Sequence, residues 1–232
     1  MIARLLFALM LLLPSAAHSK WLEASSKHFV IYSEESPEAL HAFAERLERY
    51  DAAMRFIREL PDPDLGKANR LTIYVVPDLA AVQRLARTSA RIAGFYVPRA
   101  SGSIVIVPRK GSGDGEYDLD AQTVLLHEYA HHFLYANYAL AYPAWFSEGY
   151  AEFHATARFE KDGSIDFGVP AAHRFYSLGI GTPLSVEQMM SMGVEARKSN
   201  KIDALYARGW LLTHYLTFEK KRRGRGRAPK RN

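Results

Sequence analysis

Two histidines four residues apart, followed seventeen residues later by a glutamate, most constrain how this chain can fold. His127-Glu128-Tyr129-Ala130-His131 lies in a stretch with helical character, and residues four apart share one face of a helix. Glu148 falls in a second predicted helix, which Pro143 is suited to begin. A chain that returns antiparallel along this second helix brings Glu148 level with both histidines. The spacing therefore predicts two packed, antiparallel helices.

The two histidines and Glu148 have the composition of a catalytic zinc site. Two imidazoles and one carboxylate fill three positions of a tetrahedral ion and leave the fourth open for water. The chain has no cysteine, which excludes disulfide scaffolds and thiolate-bound zinc. Glu128 projects beside the metal-binding face and can reach a metal-bound water without being a ligand. Glu152, one turn after Glu148, either orients a ligating histidine by a hydrogen bond or is a plain exposed helix acid.

These segments resemble the gluzincin zinc metallopeptidases, and among them the peptidase MA-like group. The third zinc ligand of that family is a glutamate on the helix after H-E-x-x-H, and Trp145–Phe153 is similar to the family's W-L-x-E-G-x-A stretch. The resemblance implies a zincin-type core in which a zinc-activated water hydrolyses peptide bonds. The implied zinc ligands are His127, His131 and Glu148. The implied general base is Glu128.

The zinc aminopeptidases of this family suggest two further expectations about catalysis and substrate. Tyr206-Ala-Arg-Gly209 is similar to their Y-x-K-G sequence, with arginine in place of lysine, which implies that Tyr206 binds the oxyanion. The alternative is a tyrosine that packs between helices. No G-x-M-E-N sequence, which grips a free amino terminus in aminopeptidases, precedes the H-E-x-x-H helix. We therefore expect an endopeptidase, with Ser103–Val107 as the edge strand along which an extended peptide lies.

Hydrophobic periodicity predicts an α+β fold, with a small mixed sheet and helices followed by a mainly helical half, in one domain over residues 20–219. The predicted strands are Phe29–Tyr32, Leu71–Val76, Gly94–Val97 and Ser103–Val107, with a hairpin turn at Pro98–Gly102 and a small hairpin over 159–167. The predicted helices begin at Pro37 and Asp78 and then cover approximately 119–137, 143–158, 185–192 and 203–219.

Most other histidines and aromatic residues near these motifs are expected to be structural. A lone histidine is more often a satisfied polar neighbour than a catalyst, which is the interpretation favoured for His132, His154, His173 and His214. The aromatic residues between the two motifs are expected to pack the zinc-bearing helices together. They are Tyr135, Tyr138, Tyr142 and Trp145.

The two ends of the chain predict export and disorder. Residues 1–19 contain Arg4, nine apolar residues over Leu5–Leu13 and small residues suited to signal cleavage, either at Ser15-x-Ala17 or at Ala17-x-Ser19. Nine residues span about 14 Å as a helix, too short for a membrane anchor, so we expect a secreted or periplasmic protein. Eight lysines or arginines lie in 220–232, against a net charge of +5 for the whole chain. This basic tail predicts disorder and weak contact with anionic surfaces.

The expected partner is a peptide or protein substrate, and no nucleic-acid motif is present. Two other functions remain open from the sequence. One is a zincin-fold binding module that keeps its metal without turnover. The other is a structural protein of the cell envelope, tethered by the basic tail, which predicts no stoichiometric zinc.

Overall fold

The first half of the chain contains a five-stranded mixed sheet. The computed structural model describes residues 20–87, 92–113, 115, 117–193 and 200–225. The predicted signal segment over 1–19 lies outside the described residues. The strand order is β1-β2-β3-β5-β4. The strands are β1 (Leu22–Ser25), β2 (Phe29–Ser33), β3 (Leu71–Val76), β4 (Phe95–Val97) and β5 (Ile104–Pro108).

Seven α-helices accompany this sheet in the described part of the chain. They are α1 (Pro37–Arg58), α2 (Leu79–Ala86), α3 (Ala121–Asn137), α4 (Ala144–Ala155), α5 (Phe175–Gly179), α6 (Val186–Ser191) and α7 (Ile202–Arg225). A small antiparallel hairpin of β6 (Arg158–Phe159) and β7 (Ile165–Asp166) follows α4. The predicted α+β fold with a small mixed sheet is confirmed.

Helix α1 shows how local sequence signals determine an element. The Ser36 hydroxyl accepts a hydrogen bond from the Ala39 amide, and Pro37 occupies the first turn, where its missing N–H costs nothing. Apolar residues then recur every three or four positions and pack against the sheet. The helix ends at Arg58, and the following cap residue, Glu59, has a left-handed φ of 53°. The fully buried apolar residues of this face include Leu40, Leu47, Tyr50 and Met54.

The predicted edge strand is wrong. β5, which contains Ser103–Val107 except for its first residue, pairs in parallel with β3 on one side and antiparallel with β4 on the other. Its backbone hydrogen bonds are therefore used on both sides, and β4 and β1 form the edges of the sheet over the described residues. The unbroken apolar run of Ile104–Val107 is typical of such an internal strand.

Helix α7 continues to Arg225, whereas the sequence predicts disorder from residue 220. Lysine and arginine are good helix formers, so a helix with a packed start can extend into a basic segment that has no apolar periodicity. The rest of the predicted tail lies outside the described residues. Among the residues that the structure describes, no helix has both the length and the apolar character needed to cross a membrane.

Candidate metal centre

Helix α3 carries the H-E-x-x-H sequence and is anchored through its opposite face. The Asp120 side chain caps the helix by accepting from the Thr123 amide at 2.8 Å. Two positions after His127, the Tyr129 side chain points the other way and its hydroxyl donates to buried Asp51 on α1. Arg55 also donates to Asp51, at 2.7 Å. The buried network fixes the rotation of α3 and therefore the direction in which its histidines point.

The nitrogens of two α3 histidines converge with an oxygen from α4. The Nε2 atoms of His127 and His131 are 3.2 Å apart. Glu148 Oε2 lies 3.4 Å from the first of these nitrogens and 3.2 Å from the second. Glu148 is 1% exposed, so its carboxylate is withdrawn from water. The three donors form a nearly equilateral triangle.

This triangle fits a zinc ion. Tetrahedral ligands placed 2.0–2.1 Å from zinc lie about 3.3 Å from one another, which matches the three separations found here. Two imidazole nitrogens and one carboxylate oxygen are also the donor chemistry of catalytic zinc sites. Within the described residues, His127, His131 and Glu148 are the group of histidine and acidic side chains able to hold a metal ion.

Glu152 lies behind the triangle and contacts the outer nitrogen of one histidine. Its Oε1 atom is 3.2 Å from His127 Nδ1, and its side chain is 2% exposed. Because a carboxylate only accepts, Nδ1 of His127 donates its proton to Glu152, which leaves Nε2 as the nitrogen that faces the metal position. His131 Nδ1, by contrast, is buried without a hydrogen-bond partner. The structure thus brings Glu152 to the position of an orienting carboxylate.

Two basic residues that the sequence does not assign to the site, Arg174 and His173, hold Glu152. Arg174 donates from Nε at 3.1 Å and from Nη2 at 2.6 Å, one bond to each carboxylate oxygen. His173 Nε2 lies 3.2 Å from Glu152 Oε2. Both residues belong to a short 3-10 turn, Ala172–Arg174. The sequence predicts His173 to be a structural polar neighbour, and no spacing pattern connects Arg174 to Glu152, which lies 22 residues earlier in the chain.

Burial and neighbouring charges perturb the pKa values of these groups in opposite directions. Burial lowers the pKa of His127, but hydrogen bonds to Glu148 and Glu152 outweigh it and raise that pKa to about 10. Burial raises the pKa of Glu152, yet Arg174 and the two histidines beside it hold the pKa well below its usual range. The carboxylate that orients His127 is therefore ionised at neutral pH.

Glu128 lies where the sheet edge meets α3. It is 9% exposed. A Cβ atom added to Gly94, the residue before β4, would stand 3.1 Å from the Glu128 Cγ atom and 2.6 Å from Val124 Cγ1. A side chain at position 94 would therefore collide with α3. The glycine lets the edge strand pass directly beside Glu128.

Tyr206 reaches the site from α7. Its ring centroid lies 5.8 Å from that of His127, and the Arg174 guanidinium stands over the ring at 4.8 Å. Burial, followed by the charges of the surrounding glutamates, raises the pKa of Tyr206 far above its usual value. The phenol therefore stays protonated at neutral pH and is able to donate a hydrogen bond. The contributing glutamates are Glu148, Glu128 and Glu152.

Aromatic residues flank the site on the α3 side. Tyr135, one turn after His131, stacks on its ring with centroids 6.2 Å apart. It also lies parallel to Tyr96 of the edge strand at 6.3 Å and contacts Tyr142 in the loop before α4. These contacts link α3 to the edge strand and to the loop before α4. Trp145, which the sequence predicts to pack the same two helices, instead packs against a separate cluster that includes Leu184 and Leu205. Tyr135 nevertheless remains 39% exposed.

All six site residues predicted from the sequence lie in one region. Three converge at the metal position, and three lie around it, namely Glu128, Glu152 and Tyr206.

No protein-family model matches the chain, and no curated protein matches it in sequence. Side-chain geometry and chemistry are therefore the basis for inferring a function.

Proposed function

We propose that this protein is a zinc-dependent peptidase of the gluzincin type, with a zincin-like core. The observation that carries the proposal is the convergence of His127, His131 and Glu148 into a triangle of zinc-ligand dimensions. Two ionisable side chains beside the triangle, Glu128 and Tyr206, match the acid–base and electrostatic groups that amide hydrolysis requires. We propose that the activity lies outside the cytoplasm, in keeping with the signal sequence predicted over residues 1–19.

Each side chain has a separate task in this proposal. When bound, zinc supplies a Lewis acid that polarises a carbonyl group and lowers the pKa of water. Glu128 takes the proton of the attacking water and delivers it to the departing amine. Tyr206 donates its phenolic proton to the developing oxyanion, a hydrogen bond that strengthens as negative charge accumulates. Glu152 keeps His127 in the tautomer that binds the metal.

The edge strand β4 offers a place for an extended substrate. β4 replaces Ser103–Val107 in this role, since one edge of β4 pairs with β5 and the other is the border of the sheet over the described residues. A peptide added to that border makes main-chain hydrogen bonds that depend little on its sequence. Because Gly94 brings the start of β4 against Glu128, such a peptide passes the proposed base. We propose cleavage within chains rather than at a free amino terminus.

A peptide-library digest combined with zinc analysis tests the proposal. The protein should hold about one zinc per chain, cut blocked peptides, lose activity with a chelator and regain it on zinc addition. His131→Ala should lose the zinc, whereas His41→Ala, a change at a side chain that is 75% exposed, should keep it. Zinc without cleavage would favour a binding module. Absence of stoichiometric zinc would favour a structural envelope protein.

A further inference from the structure

Arg174 contacts both halves of the proposed site. One edge of its guanidinium group donates to both oxygens of Glu152. Its face lies over the ring of Tyr206, with 4.8 Å between the guanidinium carbon and the ring centroid. The metal-binding half and the oxyanion-binding half of the site therefore share one rigid, planar cation.

The contacts between Arg174 and Glu152 are buried. The Arg174 side chain is 14% exposed and that of Glu152 is 2% exposed, so water does little to compensate a lost contact. A buried carboxylate that loses its cation moves toward solvent or toward another donor. Such a movement displaces the acceptor that fixes His127 Nδ1. The third contact of Arg174, with Asp203 at 3.4 Å, differs because Asp203 is 70% exposed.

We propose that Arg174 is a positioning residue, which orients His127 through Glu152 and holds the ring of Tyr206 by direct stacking. The inference rests on the proposed function for its catalytic consequence, while its effect on metal binding stands without any substrate. Lysine cannot replace arginine here, because an ammonium group offers neither two parallel N–H donors nor a planar face. The alternative is that Arg174 only neutralises Glu152, a task that lysine would also perform.

Zinc affinity, measured by competition with a chromophoric chelator, tests the inference without a peptide substrate. Arg174→Gln should raise the zinc dissociation constant about 10- to 100-fold, the usual loss when the partner of a ligating histidine is removed. In a Glu152→Gln background the same change should add less than about twofold, because Arg174 acts through Glu152. Asp203→Asn, which removes only the exposed contact, should leave the affinity within about twofold of wild type.

A second variant, Arg174→Lys, keeps the positive charge. It allows the inference to be tested even if Arg174→Gln does not fold. In Arg174→Lys we expect the visible absorption spectrum of the cobalt-substituted protein to differ from that of the wild type. We also expect kcat to be about tenfold lower, with KM nearly unchanged. Wild-type zinc affinity in Arg174→Gln, or a wild-type cobalt spectrum in Arg174→Lys, would overturn it. If the wild type binds zinc but cuts no peptide, the proposed function fails, and the affinities of the variants still decide the role of Arg174.

Discussion

Gly149 on α4 and Gly209 on α7 bring two helix backbones into direct contact. A Cβ atom on Gly149 would lie 2.3 Å from the carbonyl oxygen of Gly209, a separation that no real Cβ contact shows. Gly149 directly follows the proposed ligand Glu148, and Gly209 lies three residues after Tyr206. The absence of two side chains therefore sets the distance between the helix that carries Glu148 and the helix that carries the phenol of Tyr206.

Gly149→Ala should be strongly destabilising. The atom it would strike is backbone, so relief requires the helices to separate, and we expect a loss of about 3 kcal/mol in the free energy of unfolding. Urea denaturation measures the loss. Gly66→Ala is the matched control, since no atom lies within 4 Å of its Cβ position, and it should change stability by less than about 0.5 kcal/mol. Equal stabilities for the two variants would show that α4 and α7 are not in contact at Gly149.

Tyr206→Phe should lower kcat about 100-fold, with KM, zinc content and melting temperature nearly unchanged. The substitution keeps the ring beside His127 and under Arg174 and deletes only the hydrogen-bond donor. Steady-state kinetics on a cleaved peptide make the measurement. Tyr215→Phe, at a tyrosine on the same helix that is 54% exposed, should behave as wild type. A lower melting temperature with normal kcat would instead make Tyr206 a packing residue.

Local sequence signals predicted much of the fold and the centre of the site. The capped, periodic stretch that begins at Pro37 is a helix, and the apolar run of Leu71–Val76 is the central strand of the sheet. The spacing from His131 to Glu148 anticipated the convergence of their side chains, because a helix repeats every 3.6 residues and the intervening loop is short. Each of these predictions depends only on residues within about twenty positions of one another in the chain.

Features that depend on distant residues could not be predicted. Strand order is decided by pairing between separate segments, which is why the local sequence predicts Ser103–Val107 as an edge strand although its strand, β5, lies inside the sheet. Arg174 is one of 30 lysines and arginines in the chain, and nothing in its local sequence connects it to Glu152. A buried carboxylate requires a cationic or hydrogen-bonding partner, but only the fold shows which one.

His154 should make folding stability sensitive to acid. Its side chain is fully buried, its Nδ1 donates to the Tyr150 carbonyl at 2.7 Å, and Arg58 points at its Nε2. Burial and then the charge of Arg58 lower its pKa to about 3. Between pH 3 and about 6.5 the unfolded chain therefore binds a proton that the folded protein excludes. Stability contributed by neutral His154 is complete above about pH 6.5 and declines as the pH falls, by about 1.4 kcal/mol per unit.

His154→Gln tests this pH dependence. Urea titrations between pH 4 and 6 measure how the free energy of unfolding rises with pH. The slope should be smaller for His154→Gln than for the wild type, and the difference between the slopes should be about 1.4 kcal/mol per pH unit. Above pH 7.5 the two slopes should agree, whatever the cost of the substitution itself. The exposed variant His41→Gln should retain the wild-type slope. Parallel profiles for wild type and His154→Gln would contradict the prediction.

Glu128→Gln tests the central claim most directly, because it removes the proposed base and leaves all three proposed ligands in place. Glutamine has nearly the same shape beside Gly94, so zinc content and melting temperature should match those of the wild type. Cleavage of a blocked peptide should fall about 10²- to 10⁴-fold, the usual cost of losing a general base. Glu45→Gln, at an exposed acid on α1, should cleave at the wild-type rate. Wild-type cleavage by a zinc-loaded Glu128→Gln protein would contradict the account.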